Sequence, residues 1–169
     1  METETPRSMS PFKATRWWTF PLAFAWALVQ GNLWYSSFLF LSAATAVNGP
    51  QVTPGPVGFA MLLIVLQPLQ LLAMMFLAVF VPLRAPSVGA TMLRGLAFGT
   101  LVGAAIAAPP LGAAWIFYAK PIAAFLIPAG EQVVRLAGVG IIVALGQRAA
   151  SAHRAKGAAA RSASAQGDM

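Results

Sequence analysis

Long apolar runs separated by short polar or proline-rich segments dominate this chain. From Trp17 to Leu83 there is no Asp, Glu, Lys, Arg or His, and the Pro/Gly-rich segment 48–56 is the one clear interruption. A single bilayer crossing needs about 20 consecutive apolar residues. The stretch is therefore long enough for two crossings joined by a turn, and it predicts transmembrane helices over about 18–47 and 57–81.

The second half of the chain predicts two further membrane helices, over about 88–108 and 130–148. The segment 109–128 between them contains a double proline, Lys120 and two more prolines. A charge at mid-membrane costs about 2.5–3.5 kcal/mol, so we expect this segment to be proline-broken or re-entrant, or an extension of the third helix kinked at the double proline. The predicted fold is an all-α integral membrane protein, a small polytopic bundle of four transmembrane helices, with five spans as the alternative.

Composition and charge support this class and suggest an orientation. The chain is 59% hydrophobic and 9% charged, whereas soluble domains carry about 25% charged residues. Basic residues concentrate before residue 17, after the second helix and from residue 148 onward, and with four spans all three groups fall on one side, as the positive-inside rule requires. We expect a multi-pass protein of the bacterial inner membrane with both termini cytoplasmic.

This orientation divides the chain into three parts. Residues 1–16 form a cytoplasmic N-terminal arm, residues 17–148 the transmembrane domain, and residues 149–169 a disordered basic tail that is rich in Ala, Ser and Gly. A signal peptide cleaved near Ala44 is an alternative for the first helix. The apolar stretch is longer than the usual core of about 7–15 residues in such peptides, so an uncleaved helix is favoured.

Three glycines in the third predicted helix mark a packing face. Gly95, Gly99 and Gly103 recur at every fourth position, which places them on one helix face and allows a neighbouring backbone to approach closely. The pattern does not distinguish another helix of the same chain from a second protein.

Uncharged polar residues within the first two helices form a second candidate site. Gln30, Asn32, Gln67 and Gln70 fall at similar depths if the two helices are antiparallel, and an amide in hydrocarbon needs a hydrogen-bond partner. They predict either interhelical hydrogen bonds that hold the helices together or a polar pocket or conduction path between them.

Ionisable residues suitable for catalysis are scarce. The acids are Glu2, Glu4, Glu131 and Asp168, the single histidine is His153, and there is no cysteine. Paired-carboxylate catalysis, disulfides, an ordinary metal site and a histidine-held haem are therefore not expected within the membrane domain.

Glu131 and Arg135 are spaced to form an ion pair near the start of the last predicted helix. The pair is either solvated there or partly buried against the bundle. We expect no enzymatic activity, and a membrane enzyme would require Glu131 or Lys120 to be buried in a cleft.

Aromatic residues in the first helix suggest contacts with lipid or a hydrophobic cofactor. Trp26 and Trp34 are eight residues apart and share a face, so they could pack on a lipid, quinone or pigment, although bundle packing explains them equally well. No basic face interleaved with aromatic residues is present, so nucleic acid is not an expected partner.

Two functions follow as expectations. The first is a non-enzymatic structural or accessory subunit that docks on a larger membrane complex, or on itself, through the glycine face. The second is a small channel or uncoupled transporter that uses the Gln/Asn-lined path.

Overall fold

The computed structural model describes residues 17–48, 56–117 and 120–167, and these ranges are all-helical, as the sequence predicts. The arm 1–16 and most of the predicted turn 48–56 lie outside the described residues. We number the helices α1 to α5 in chain order. They span Thr19–Trp34 (α1), Leu41–Asn48 (α2), Pro56–Val79 (α3), Val88–Phe117 (α4) and Ile122–Gly167 (α5).

The first predicted membrane helix is interrupted. It consists of α1, a turn over residues 35–40 and the short α2. The Ser36 hydroxyl donates to the Leu33 carbonyl at 2.7 Å, a local bond of the kind by which Ser competes with the helical backbone pattern. The 16 residues of α1 extend about 24 Å, less than the roughly 30 Å of a bilayer's hydrocarbon core.

Among the described residues, three helices are long and apolar enough to cross a membrane: Pro56–Val79, Val88–Phe117 and Ile122–Gly157. The first of these corresponds closely to the span predicted over 57–81. It contains a π-helical segment, Met61–Leu66, in which the Gln67 N–H bonds to the Leu62 carbonyl. Pro68 follows directly and lacks an N–H, and such local changes of helix type keep backbone groups paired around a proline.

The double proline does not end α4. The helix continues through Pro109 and Pro110 to Phe117, which corrects the span end predicted at 108 and fits the alternative of an extended third helix. Each proline removes one donor, and in apolar surroundings the remaining backbone groups still gain most from helical pairing. The described chain leaves helix at Lys120 and Pro121 instead, where the Pro121 carbonyl accepts from the Ala124 N–H at 2.9 Å as α5 begins.

The final helix is longer at both ends than the span predicted over 130–148. It begins at Ile122 and continues to Gly167, so the described part of the segment predicted as a disordered tail is helical. Alanine has the highest helix propensity, and residues 149–167 are rich in it. Local propensity thus accounts for a helix where composition alone suggested disorder.

Helix α5 is the centre of the bundle, and α1, α3 and α4 pack against it. The chain runs up and down: α1 and α4 are antiparallel to α5, whereas α3 is parallel to it. Leu71, Met74 and Ala78 of α3 meet Leu136 and Val139 of α5 in the core. The outward faces instead carry large exposed apolar side chains, including Leu69, Phe76, Leu93, Leu101 and Ile116. Such a surface is compatible with lipid contact and costly in water.

Basic side chains gather at one end of the bundle. Thr19 at the start of α1 packs on Gly146 of α5, and the loop between α3 and α4 is bound to the same part of α5 through Arg84 and Arg148. Lys120 lies at the opposite end, beside the start of α5.

Candidate polar site inside the helix bundle

A buried ion pair lies in the first third of α5. Glu131 and Arg135 are 3% and 8% exposed, and Arg135 Nε donates to Glu131 Oε1 at 2.8 Å while Nη2 contacts the same oxygen. Arg135 is 13 residues from both Ile122 and Arg148, about 20 Å in either direction along the helix. The two residues pair as their spacing predicts, and they are buried against the bundle rather than solvated at a helix start. Because α5 begins eight residues before the predicted start at 130, the pair lies further inside the helix than the sequence indicated.

Two glutamines extend the ion pair from α5 to α3. Arg135 Nη1 donates to Gln70 Oε1 at 3.5 Å, and Gln70 Nε2 donates to Gln132 Oε1 at 2.9 Å. The Arg135 contact is long, and the shorter bond joins two neutral amides. Gln70 thereby fixes the register of α3 against α5.

Two more buried glutamines carry amide atoms without a hydrogen-bond partner among the described residues. Gln30 is 5% exposed and Gln67 is 8% exposed. In the described part of the chain, both amide atoms of Gln30 and the Gln67 Oε1 have no hydrogen-bond partner. Leaving a buried polar group unpaired costs about 1–3 kcal/mol. These three atoms thus keep unused hydrogen-bonding capacity inside the bundle.

The level of these amides in the bundle follows from their neighbours. A methyl group at Gly31, next to Gln30, would lie 3.8 Å from Glu131 Oε1, and Gln67 is one helical turn before Gln70. We call the six residues Gln30, Gln67, Gln70, Glu131, Gln132 and Arg135 the polar centre. It lies where α1, α3 and α5 meet.

One predicted member of the amide cluster does not belong to the polar centre. Asn32 is exposed on α1, and its Nδ2 donates to the Leu28 carbonyl of its own helix at 2.8 Å. Residues two apart on a helix do not share a face, so the sequence spacing from Gln30 already indicated this separation.

Sequence reasoning missed two residues near the polar centre. Gln132 bonds to Gln70, and Tyr35 lies close enough to Glu131 and Arg135 to interact with both charges. The position of Gln132 beside a predicted ion pair was a usable signal. The approach of Tyr35 depends on the turn after α1, which no sequence pattern indicated.

The two tryptophans predicted to share a face attach α1 to α5. Trp26 Nε1 donates to the Arg135 carbonyl at 3.0 Å, and Trp34 Nε1 donates to the Ile127 carbonyl at 3.1 Å. Glycines make room for the rings: a methyl group at Gly130 would lie 3.1 Å from the Trp34 ring, and one at Gly138 would overlap the Trp26 ring. Bundle packing, the alternative to a lipid, quinone or pigment contact, therefore accounts for how these indoles are placed.

The predicted glycine face is buried against α5 of the same chain. A methyl group at Gly95 would lie 2.8 Å from the Ala144 Cβ, one at Gly99 would lie 2.7 Å from the Ala137 Cα, and one at Gly103 would lie 2.8 Å from the Val133 Cα. Gly140 completes the contact, because its own added methyl would overlap the Gly95 carbonyl. The close helix contact that the spacing predicts is thus made within the chain.

No protein-family model, curated protein or solved structure matches this chain. The chemical properties of the polar centre follow from its own side chains. The Glu131 and Arg135 charges cancel, and the glutamines offer neutral donors and acceptors. Within the described residues there is no group of three or more His, Cys, Asp or Glu that could hold a metal ion. The arrangement thus combines a neutralised ion pair with uncharged donors and acceptors.

Proposed function

We propose that this protein is a non-enzymatic integral membrane protein that lets a small uncharged polar solute pass through its helix bundle, as a channel or uncoupled transporter. The observation that supports the proposal is a set of three buried amide atoms without a partner among the described residues, both of Gln30 and the Oε1 of Gln67, beside an ion pair. The path runs between α1, α3 and α5, and Asn32 is not part of it.

The three unpaired atoms are energetically costly in a buried position. Three unpaired polar atoms at about 1–3 kcal/mol each are a large cost for a small bundle. Leucine would remove that cost in a purely structural core, because replacing buried polar groups by apolar ones of similar shape is neutral or stabilising. Hydrogen bonds to water or to a passing solute would offset the cost and give the amides a role.

The ion pair contributes polarity without net charge. Arg135 is bonded to Glu131 and Gln70, so its charge is compensated at the centre of the bundle. A permeating ion would meet no uncompensated charge of opposite sign here. The centre therefore favours neutral solutes over ions.

An accessory role, the first expectation from the sequence, now stands second and would need a different docking surface. The glycine face packs on α5 of the same chain, so docking on a larger complex would have to use another face. The exposed apolar faces of α3 and α4 are ordinary lipid-facing surfaces, and none of the described contacts singles one out for a protein partner. For this reason we place the solute path first.

The test is permeation into proteoliposomes followed by stopped-flow light scattering, with water, urea and glycerol as probes. We expect the wild-type protein to raise permeability to at least one probe above that of protein-free vesicles. Gln30→Leu and Gln67→Leu should remove the increase. Asn32→Leu is the matched control, because it makes a similar change on the outward face of α1, and it should conduct like the wild type.

Thermal unfolding in detergent separates loss of function from loss of fold. Gln30→Leu removes two unpartnered atoms and Gln67→Leu removes one, so their unfolding temperatures should equal or exceed that of the wild type. Loss of permeation together with retained stability supports the path. Wild-type vesicles no more permeable than empty ones, or leucine variants that conduct normally, would refute it.

A further inference from the structure

The loop between α3 and α4 is fixed rigidly to α5. Gln147 accepts from the Leu83 N–H at 3.2 Å through Oε1 and donates to the Ala78 carbonyl at 2.6 Å through Nε2. Thr91, which is fully buried, accepts from the Ala85 N–H at 3.0 Å. These bonds hold the loop backbone in one conformation at the basic end of the bundle.

Three arginines converge on this loop. Arg94 Nη1 donates to the Arg84 carbonyl at 2.8 Å, and Arg148 Nη1 donates to the Pro86 carbonyl at 2.9 Å and also contacts the Ala85 carbonyl. Arg84 Nη1 donates to the Ser151 hydroxyl at 3.3 Å. The guanidinium groups of Arg94 and Arg148 thus bind the loop backbone, and that of Arg84 reaches from the same loop to α5. We call Arg84, Arg94 and Arg148 the arginine cluster.

The charge of the arginine cluster is not compensated by a carboxylate in the described part of the chain. Glu131 is the only acid in those ranges, and it is 17 residues before Arg148, about 25 Å along α5. Each guanidinium has five N–H donors, and the bonds above use only one nitrogen of each. Most donors of the cluster remain available to an anion with several oxygens.

Apolar side chains lie next to the arginine cluster. Phe80 at the end of α3 and Val88, Met92 and Leu93 in the first turns of α4 are exposed. Arg94 lies among them and reaches back to the loop, as long basic side chains do at a membrane interface. An anion that binds here would carry apolar chains along this surface most favourably.

We propose that the arginine cluster binds the phosphate headgroup of an anionic phospholipid, with the acyl chains lying along the exposed apolar residues of α3 and α4. Basic sites at the membrane ends of helices recognise anionic headgroups in this way. Guanidinium groups match phosphate oxygens through paired N–H donors. This lipid site is about 20 Å from the polar centre and does not depend on the proposed solute path.

The test measures lipid binding by native mass spectrometry of the full-length protein in mild detergent, with phosphatidylglycerol, phosphatidylcholine or inorganic phosphate added. We expect phosphatidylglycerol to bind preferentially and to raise the unfolding temperature. Arg84→Gln and Arg94→Gln should each weaken its binding about fivefold. Lys120→Gln removes an exposed cation at the opposite end and is the matched control, so it should bind like the wild type.

Each outcome decides the proposal. Equal binding of phosphatidylglycerol and phosphatidylcholine, or unchanged binding in both arginine variants, would overturn it. An equal rise in unfolding temperature with inorganic phosphate alone would show a free-anion site and overturn the lipid assignment. Because the two substitutions leave the Gln147 and Thr91 bonds in place, both variants should fold, and their circular dichroism spectra check this.

Discussion

Replacing Gly99 by alanine tests whether α4 and α5 of one chain really share the glycine face. The added methyl group would lie 2.7 Å from the Ala137 Cα and closer still to the Leu136 carbonyl oxygen. These are backbone atoms of α5 and cannot rotate away as a side-chain end would. The two helices must therefore separate or shift along each other.

The size of the effect follows from two opposing terms. Overpacking a tight contact costs about 1–3 kcal/mol, and rigid backbone neighbours place Gly99→Ala in the upper half of that range. Alanine is favoured over glycine in a helix by about 1 kcal/mol, which offsets part of the cost. We expect the free energy of unfolding to fall by about 1–2 kcal/mol.

Gly89→Ala is the matched control on the same helix. A methyl group at Gly89 would meet no atom within 4 Å, so only the propensity term acts and stability should rise by up to about 1 kcal/mol. Unfolding by SDS titration in mild detergent, followed by circular dichroism, would compare the two variants. They should differ by about 2–3 kcal/mol.

Two results would refute the reasoning. Equal stability of Gly99→Ala and Gly89→Ala would mean that the face is not tightly packed. A Gly99→Ala protein with unchanged stability but with a lost oligomer on size-exclusion chromatography would assign the face to a second copy of the chain.

Two further predictions concern the contacts that join α5 to its neighbours. Arg135→Leu leaves Glu131 buried without its partner and should lower the free energy of unfolding by about 3–5 kcal/mol. Replacing both Arg135 and Glu131 by leucine should recover much of that loss. SDS titration measures both variants, and an equal loss of stability in the two would contradict a coupled pair. Trp34→Phe keeps an aromatic ring but leaves the Ile127 carbonyl without its indole donor, so it should lower the free energy of unfolding by about 1 kcal/mol. Trp17→Phe, at an exposed indole, is its control. Equal unfolding midpoints for the two variants would count against the Trp34 hydrogen bond.

The sequence predicted the all-helical class and the course of α3 well. The absence of charge from Trp17 to Leu83 and the proline-rich segment before residue 57 were sufficient for that. The turn after α1 could not be predicted from this uncharged run. Ser36 and its neighbours are uncharged, and hydropathy carries no information about their hydrogen bonds. The double proline suggested a break that α4 does not make, since the local cost of a proline is overridden where backbone pairing is essential.

The glycine face separates what local sequence spacing determines from what tertiary packing determines. A spacing of four residues fixes which side chains share a helix face, so Gly95, Gly99 and Gly103 could be grouped from the sequence. What packs on that face is decided by residues roughly 30 to 50 positions away along the chain. Gly140 supplies the matching small residue on α5, and nothing in the sequence alone paired the two helices.

For the polar centre, too, the sequence determined some features and the tertiary structure determined the others. The sequence determined that the Glu131 and Arg135 pair shares a helix face and that amides interrupt the apolar helices, because both follow from local spacing and composition. Only the tertiary structure decided that the pair is buried inside the bundle, that Gln70 joins it, and that the Gln30 amide has no partner in the described ranges. Burial and pairing depend on where α5 begins and on which faces of α1 and α3 pack against it, and long-range packing sets both.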